Sequence, residues 1–303
     1  MKKPLDEYLI QRIRRLSSPL EPIPTEAAEE AAPLTGIRAV LFDVYGTLFI
    51  SGAGEIGVNE PLESDSVFYE SIQAAGFNWL VQEAPVRGPE RLKHHIRETH
   101  ARKKAQGIEF PEVDILEEWD KTVYELINEN ILSGDRSDER LQKLALEYEI
   151  RINPVWPMPD LLDCLNALLQ SGIVPGIVSN AQFYTPYLFA AFLNGFPEQI
   201  GFHKDLCIWS YQTGCGKPSP ALFETAAQRL QSQCSIAPRE ALYVGNDMLN
   251  DVWPASLVGF RTALFAGDRR SLRRRSDDPR CSSIQPDRTL KSLTALTISP
   301  LKK

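Results

Sequence analysis

The chain has 303 residues, of which 43% are hydrophobic and 24% are charged, and it carries a net charge of -7 at pH 7. This composition excludes a disordered chain, and the length is sufficient for one large domain or two smaller ones. The negative charge argues against nonspecific binding to nucleic acids or anionic membranes.

No stretch of the sequence approaches the roughly 20 apolar residues that a membrane helix needs. The first residues also lack the apolar core of a signal peptide, because Asp6, Glu7 and Gln11 interrupt it. The five scattered cysteines form no C-x-x-C pair, which suits reduced thiols. We therefore predict a cytoplasmic protein that binds neither nucleic acid nor membrane. No feature predicts its oligomeric state.

Residues 1–36 predict an N-terminal arm. Leu5, Tyr8, Leu9 and Ile13 recur at helical spacing, which indicates an amphipathic helix. A segment rich in Pro, Glu and Ala follows it. We expect a docking helix followed by a linker.

Residues 37–58 and 154–303 predict an α/β core. The first strand signal runs from Ile37 to Val44 and is apolar without clean alternation, as is typical of a parallel strand buried on both faces. Later strand signals, in IVPGIVSN, LCIWSY, ALYVGN and FRTALF, alternate with helical ones. This pattern predicts a Rossmann-like, doubly wound parallel sheet that binds ligands at the carboxyl ends of its strands.

Residues 59–153 carry a helical apolar period in four segments and almost no strand signal, which predicts an inserted all-helical domain. The stretch from Gly52 to Gly57 before it fits G-x-G-x-x-G. A dinucleotide fingerprint must lie directly between a strand and a helix, with an acid about 20 residues further on at the end of a second strand. Here the stretch leads into the helical insertion, so we interpret it as a hinge and substrate loop.

Two segments rich in basic residues are expected to face solvent. His94, His95 and His100 lie on a Lys/Arg-rich helix, and no two of them have the four-residue spacing of a helical metal site. Residues 267–280 place six arginines in a polar connection. We also expect the aromatic residues of the insertion to form its core or a substrate-facing wall.

Four features lie where a parallel sheet would bring them together. They are Asp43 after the first strand, Ser179-Asn180, Lys217-Pro218, and the acidic pair Asp247 and Asp251. A carboxylate nucleophile, a hydroxyl, a cation and further carboxylates are the groups that phosphoryl transfer through an aspartyl phosphate requires. The four features therefore predict one active site.

These motifs, in this order, resemble those of the haloacid dehalogenase (HAD) superfamily of hydrolases. The opening D-x-x-G-T is present as residues 43–47, the serine motif as residues 179–180, the lysine motif as residues 216–220 and the acidic motif as residues 245–251. The resemblance covers roughly residues 37–300. It implies that the helical insertion is a cap domain.

The resemblance also implies roles for the site residues. Asp43 would be the covalent nucleophile, and its carboxylate, the carbonyl of Tyr45 and the side chain of Asp247 would ligate Mg²⁺. Ser179 and Lys217 would hold the transferring group.

Three further residues complete the predicted site. Asp251 would either support the metal through water or orient the lysine. Thr47 and Asn180, together with Tyr45, would contact the substrate.

Tyr45 departs from the phosphatases of this family, which carry an aspartate as general acid and base at that position. A phenol with a reference pKa near 10 is a poor replacement, and losing such help typically costs ~10²–10⁴ in rate. The family's 2-haloacid dehalogenases do carry D-x-Y-G-T and need no metal. They also use an arginine early in the cap, however, and none occurs between Ser66 and Val86.

A second departure concerns the acidic motif, in which Asn246 rather than an aspartate follows the glycine. Either Asn246 or Asp247 would then face the metal. We favour Asp247, because a charged ligand neutralises a dication better and because it keeps a D-x-x-x-D spacing with Asp251.

We therefore predict a HAD-like hydrolase that acts through an aspartyl intermediate, as a Mg²⁺-dependent phosphatase of a small phosphorylated metabolite. A metal-free hydrolytic 2-haloacid dehalogenase is the first alternative. The second is a catalytically weak binding or regulatory protein whose N-terminal arm docks a partner.

Overall fold

The computed structural model describes residues 4–30, 34–52, 64–81 and 87–296. The strands are β1 Ala39–Phe42, β2 Phe49–Ser51, β3 Asn78–Trp79, β4 Leu132–Ser133, β5 Val155–Pro157, β6 Val174–Ser179, β7 Cys207–Trp209, β8 Ala241–Gly245, β9 Arg261–Phe265 and β10 Arg288–Leu290. The α-helices are α1 Pro4–Leu16, α2 Ser64–Ala74, α3 Gly88–Ala105, α4 Ile115–Asn128, α5 Asp138–Ile152, α6 Leu161–Gln170, α7 Thr185–Leu193, α8 Ser210–Thr213, α9 Ala221–Cys234, α10 Trp253–Leu257 and α11 Pro279–Ser282. Short 3-10 turns at Pro197–Gln199, Lys204–Leu206, Pro238–Glu240 and Leu293–Ala295 and a π-helical turn at Met248–Val252 complete the described elements.

A six-stranded sheet with the order β10-β9-β8-β1-β6-β7 positions the site, and its strands are all parallel. Ala39 of β1 lies beside Val174 of β6 on one side and Ala241 of β8 on the other. The chain extends the sheet from β6 to β7 and then crosses β1 to build β8, β9 and β10. The carboxyl end of β1 is therefore the topological switch point, where such sheets bind ligands.

The predicted doubly wound sheet is confirmed, although β1 is shorter than the predicted strand from Ile37 to Val44. All four residues of β1 are buried, because helices cover both faces of the sheet. Val40 and Phe42 pack in one apolar cluster with α6 and α7, whereas Ala39 and Leu41 pack in another with α9 and α10. Burial on both faces explains the continuous apolar run in the sequence.

Helices α2 to α5 lie between β2 and β5, which pair antiparallel where the chain leaves and re-enters the core. Phe68, Trp119 and Tyr148 pack together in this helical part, with ring centroids 5.7 Å apart for Phe68 and Trp119. A two-residue antiparallel pair, β3 with β4, adds to the predicted helices. The sequence missed it because two residues give no periodic signal. Most of the G-x-G-x-x-G stretch, from Ala53 onward, and the first residues of the predicted insertion lie outside the described residues.

The N-terminal helix α1 packs against α7 of the core and α5 of the helical insertion. Arg12 pairs with the buried carboxylate of Glu147 on α5, and the Tyr187 hydroxyl on α7 donates to Asp6 over 2.8 Å. The linker continues along the chain's own surface, where Glu30 forms an antiparallel bridge with Thr289 of β10. The arm thus docks on its own chain.

None of the described helices is long and apolar enough to cross a bilayer. All five cysteines are free.

Candidate active site

Asp43, the first residue after β1, lies at the centre of the candidate site. Its Oδ1 accepts hydrogen bonds from Ser179 Oγ over 2.8 Å and from Lys217 Nζ over 2.7 Å. Ser179 ends the neighbouring strand β6, so the parallel register brings hydroxyl and carboxylate together. No hydrogen bond from a described residue reaches Asp43 Oδ2, which leaves that oxygen available for attack.

Lys217 is buried among three oxygen-bearing side chains. Its Nζ lies 2.7 Å from Asp43 Oδ1, 2.5 Å from Asp251 Oδ1 and 3.2 Å from the Tyr243 hydroxyl. Burial alone would lower the pKa of Lys217, but the carboxylates of Asp251 and Asp43 outweigh it and raise the pKa above its usual value. The lysine is therefore a fixed positive charge beside the nucleophile.

Asp251 uses both carboxylate oxygens within the protein. Oδ1 accepts from Lys217 and from the Tyr243 hydroxyl, and Oδ2 accepts from the Asp247 backbone N–H over 2.9 Å. Of the two roles that the sequence left open, these contacts favour orientation of the lysine. Tyr243 was missed because it lies within the apolar strand β8; the only signal was a polar tip in a buried strand, which requires a partner.

Asn180 and Thr47 hold the loops of the site in place. The Asn180 side chain accepts from the Lys217 backbone N–H over 2.7 Å and donates to the Lys217 carbonyl over 3.3 Å. Thr47 is fully buried and donates from Oγ1 to Asn246 Oδ1 over 3.1 Å. The contacts of these two predicted substrate-binding residues are those of positioning groups.

Tyr45 turns its hydroxyl toward the helix α7 rather than toward an open site. The hydroxyl lies 2.9 Å from Thr185 Oγ1. Burial of the hydroxyl, with a smaller contribution from the nearby Glu149, raises the pKa of Tyr45 far above its ordinary value of 10. This phenol therefore stays protonated near neutral pH.

Asn246 and Asp247 face different partners. The amide of Asn246 contacts Thr47 and donates to the Ser271 carbonyl over 2.8 Å, so it lies against the loop that follows the nucleophile. Asp247 instead caps the π-helical turn by accepting from the Leu249 N–H, and Arg275 Nη2 binds its Oδ2 over 2.7 Å. The structure thus places Asn246 beside the nucleophile loop and joins Asp247 to an arginine.

The arginine-rich segment packs against the site motif instead of forming the solvated connection that the sequence predicted. Arg273 donates its backbone N–H to the Asn246 carbonyl and accepts from the Met248 N–H, both over 2.9 Å. Gly46 approaches the same segment so closely that a Cβ there would lie 2.5 Å from Ser271 Cβ. Its φ of 85° also favours glycine.

The donor chemistry fits a magnesium ion in part. The carboxylate of Asp43 and the carbonyl of Tyr45 are hard oxygen donors, and the Tyr45 carbonyl accepts no hydrogen bond from the described residues. The third predicted ligand, Asp247, is already neutralised by Arg275. Among the described residues, no group of three or more acidic, His or Cys side chains converges as a ready metal site.

A cavity of about 370 Å³ opens between the helical insertion and the core, and its lining includes Tyr45 and Asn180, two of the predicted site residues. The insertion is latched over the Lys217 loop beside it. The Glu112 N–H donates to the Gly214 carbonyl over 3.0 Å, and the Gly216 N–H donates to the Phe110 carbonyl over 2.9 Å. The site is therefore closed on one side by residues of the insertion.

The three histidines of α3 do not share one solvated face. His94 is exposed, but His95 is buried and its Nε2 lies 3.2 Å from Glu125 Oε2. His100 lines the cavity. The prediction of a solvated face is therefore wrong for His95, because α4 covers that side of the helix.

The chain is similar to a ribulose-1,5-bisphosphate 5-phosphatase from Halopiger xanaduensis. It is 31% identical over 142 residues, which cover 46% of this chain and 55% of that protein. The chain thus matches about half the length of this relative.

A crystal structure of a 2-haloacid dehalogenase from Pseudomonas syringae pv. Tomato shares the fold, with a TM-score of 0.53 at 18% identity over 86% of this chain and 96% of the other. A family model described as haloacid dehalogenase-like hydrolase matches residues 37–259, well over half of the sequence. The chain therefore belongs to the haloacid dehalogenase-like hydrolases.

Proposed function

We propose that the protein is a Mg²⁺-dependent phosphatase that transfers the phosphoryl group of a small phosphorylated molecule to Asp43 and then to water. One observation carries the proposal. Asp43 Oδ1 is held by Ser179 and Lys217, whereas Oδ2 accepts no hydrogen bond from the described residues. A carboxylate fixed in this way presents one oxygen as a nucleophile beside a buried positive charge.

In the first step, Asp43 Oδ2 attacks phosphorus and the bond from phosphorus to the leaving oxygen breaks. In the second, a water oxygen attacks phosphorus, the bond to Asp43 breaks and inorganic phosphate is released. Lys217 neutralises charge on the phosphoryl oxygens, and the Ser179 hydroxyl holds the nucleophile and the group that it receives. Asp251 and Tyr243 position the lysine.

Magnesium, when bound, would neutralise further charge on the phosphoryl oxygens. Asp43 and the Tyr45 carbonyl would hold it. The third ligand would be either the amide oxygen of Asn246, as it lies, or the carboxylate of Asp247 after it leaves Arg275. The phosphatase from Halopiger xanaduensis supports the reaction class, and because the match spans about half of that protein, it does not identify the substrate.

Hydrolytic dehalogenation is the second candidate, because the Tyr45 hydroxyl is bound to Thr185 and takes no part in proton transfer. Displacement of halide from carbon by Asp43 needs no proton for the leaving group. It does need a cation for the substrate carboxylate, and no arginine lines the cavity among the described residues. The phosphatase is therefore the better-supported function.

The two functions separate in one assay with two substrates. Acetyl phosphate with Mg²⁺ should release inorganic phosphate, and both EDTA and Asp43→Asn should abolish the release while the variant keeps the melting temperature of a folded protein. Chloride release from 2-chloropropionate that survives EDTA, without phosphate release, would show the dehalogenase. A folded protein without either activity would contradict both proposals.

A further inference from the structure

The cavity beside Tyr45 has a mainly apolar wall. At about 370 Å³ it has the size of a site for a small organic group. Its apolar lining comes mostly from the helical insertion and includes Leu92, Ile96, Ile115, Trp119, Ala145 and Ile152. Such a wall favours burial of an apolar or aromatic group, at roughly 25 cal/mol for each Å² removed from water.

Basic side chains contribute little to this wall. Lys93 and His100 are its basic lining residues among those described, and no described arginine lines it. Arg91 instead forms two hydrogen bonds of 2.7 Å with Glu129. Residues 53–63 and 82–86 contain neither lysine nor arginine, so they supply no cation either. A second phosphate or a carboxylate on the substrate would lack a guanidinium partner here.

Two carboxyl groups also line the cavity, and both are satisfied within the protein. Glu149 accepts from Tyr184 over 3.0 Å and from Asn153 over 3.2 Å. Glu112 accepts from Ser210 Oγ over 2.6 Å on one oxygen and from the Val113 N–H over 2.9 Å on the other. They disfavour anions in the cavity, and neither directs a proton toward the nucleophile.

The leaving group must also depart without a proton from position 45. The Tyr45 hydroxyl is bound to Thr185, and a phenol is a poor replacement for a carboxylic acid there. Only a leaving oxygen that is stable as an anion, such as a phenolate, then separates from phosphorus rapidly. An alkoxide does not.

We propose that the substrate is a phosphate monoester of an uncharged phenol, whose ring occupies the cavity lined by Trp119 while its phosphate meets Asp43. This inference rests on the proposed phosphatase function and specifies its substrate class. It differs from the sugar bisphosphate of the relative's name. The first products are the aspartyl phosphate and the phenolate, which takes its proton from solvent.

The first test compares substrates on the unaltered protein with Mg²⁺. We expect kcat/KM for 1-naphthyl phosphate to exceed that for ribulose 1,5-bisphosphate by at least about tenfold, because the apolar wall accepts the ring and offers no guanidinium to a second phosphate. A tenfold preference corresponds to about 1.4 kcal/mol. A preference for the bisphosphate would overturn the inference while leaving the phosphatase intact. Absence of phosphate release from acetyl phosphate and from every ester would instead overturn the proposed function.

The second test fills the cavity. Ala145→Phe should lower kcat/KM for 1-naphthyl phosphate relative to that for acetyl phosphate by at least about tenfold, because acetyl is too small to need the space. Ala101→Phe makes the same change on the exposed side of α3. It should leave the ratio of kcat/KM for 1-naphthyl phosphate to kcat/KM for acetyl phosphate within twofold of that of the unaltered protein. An unchanged ratio in a folded Ala145→Phe protein would show that the ring binds elsewhere.

The third test varies the leaving group. Across phenyl phosphates with ring substituents, log(kcat/KM) should fall steeply as the pKa of the phenol rises, and Tyr45→Asp should make the slope shallower by supplying an acid. A shallow slope in the unaltered protein would show that another group protonates the leaving oxygen. That result would contradict the requirement for an aromatic leaving group.

Discussion

The Tyr45 hydroxyl and Thr185 Oγ1 lie 2.9 Å apart, so the residue at the usual acid/base position is bound to a core helix. Tyr45→Asp should therefore raise kcat for alkyl phosphates by about tenfold or more, within the ~10²–10⁴ that proton transfer contributes. Initial rates with glycerol 2-phosphate and Mg²⁺ measure the effect.

Tyr45→Phe is the matched control for that variant. It keeps the ring and removes only the hydroxyl, so kcat should change less than about twofold if the phenol takes no part in proton transfer. A large loss in Tyr45→Phe, without a loss of melting temperature, would mean that the hydroxyl itself takes part in the chemistry.

Lys217 should contribute most of the electrostatic stabilisation. Lys217→Met is expected to lower kcat by about 10²–10³, the usual effect of removing a donor that stabilises transition-state charge. It also leaves Asp43 and Asp251 facing each other, and loss of one partner of a buried pair costs roughly 3–5 kcal/mol. Lys217→Arg retains the charge and should therefore keep more activity than Lys217→Met, which separates loss of charge from loss of the lysine itself. Full activity of folded Lys217→Met would remove the lysine from the mechanism.

Arg275 should control access of magnesium to Asp247, which it binds over 2.7 Å. If Asp247 becomes a metal ligand, Arg275→Gln frees its carboxylate and lowers the Mg²⁺ concentration for half-maximal activity severalfold. Arg280→Gln, whose partner is the nearby Asp278, is the control. An unchanged Mg²⁺ dependence in Arg275→Gln would instead identify Asn246 as the third ligand, a conclusion that Asn246→Asp then tests by tighter Mg²⁺ binding.

Glu149 should make the protein less stable as the pH rises. Burial outweighs the hydrogen bonds from Asn153 and Tyr184 and raises the pKa of this carboxyl above 4.5. The folded state thus favours its neutral form, and the stability that it contributes is present below the unfolded pKa and is lost as the pH rises through the folded pKa.

Urea unfolding at pH 5 and pH 8 measures this effect. The stability of Glu149→Gln relative to the unaltered protein should increase between the two pH values. Glu117→Gln, on the exposed face of α4, serves as the control. A relative stability of Glu149→Gln that is the same at both pH values would contradict the assignment.

The sequence was sufficient to predict which side chains of the candidate site meet. Asp43 and Ser179 follow or end neighbouring strands, and a parallel sheet brings such positions to one edge. The sequence could not predict which of Asn246 and Asp247 points toward Asp43. Adjacent side chains at a strand end point in opposite directions, and the sequence does not show which direction leads to the site. Their orientation depends on Thr47 and on Arg275, the latter 28 residues further along the chain.

The surface on which the N-terminal helix packs could not be predicted from the sequence either. The apolar spacing of α1 predicted a docking face, and Ile13 is fully buried as expected. The surface that it docks on consists of α5 and α7, which lie more than 120 residues away in sequence. A periodic pattern determines which face is buried and says nothing about what covers it.

The ion pair of Arg12 with Glu147 should stabilise the packing of the N-terminal helix α1 against α5 of the insertion. The Glu147 carboxylate is fully buried, and Arg12 Nη2 donates to its Oε2 over 2.7 Å while Arg151 binds it from the same helix. Arg12→Met keeps the apolar stem and removes the charge, which should cost roughly 1.5–3 kcal/mol of unfolding free energy. Arg15→Met, on the exposed face of α1, should change it by less than about 0.5 kcal/mol.

The pH dependence distinguishes loss of this ion pair from loss of packing. Burial would raise the pKa of Glu147, but Arg12 and Arg151 outweigh it and lower the pKa below 4.5. The stability that this carboxylate contributes is present above the unfolded pKa and is lost as the pH falls through the folded pKa. The deficit of Arg12→Met in urea unfolding should therefore be full at pH 7 and shrink as the pH is lowered below 4. A deficit that stays constant with pH would mean that the arginine acts through its stem alone.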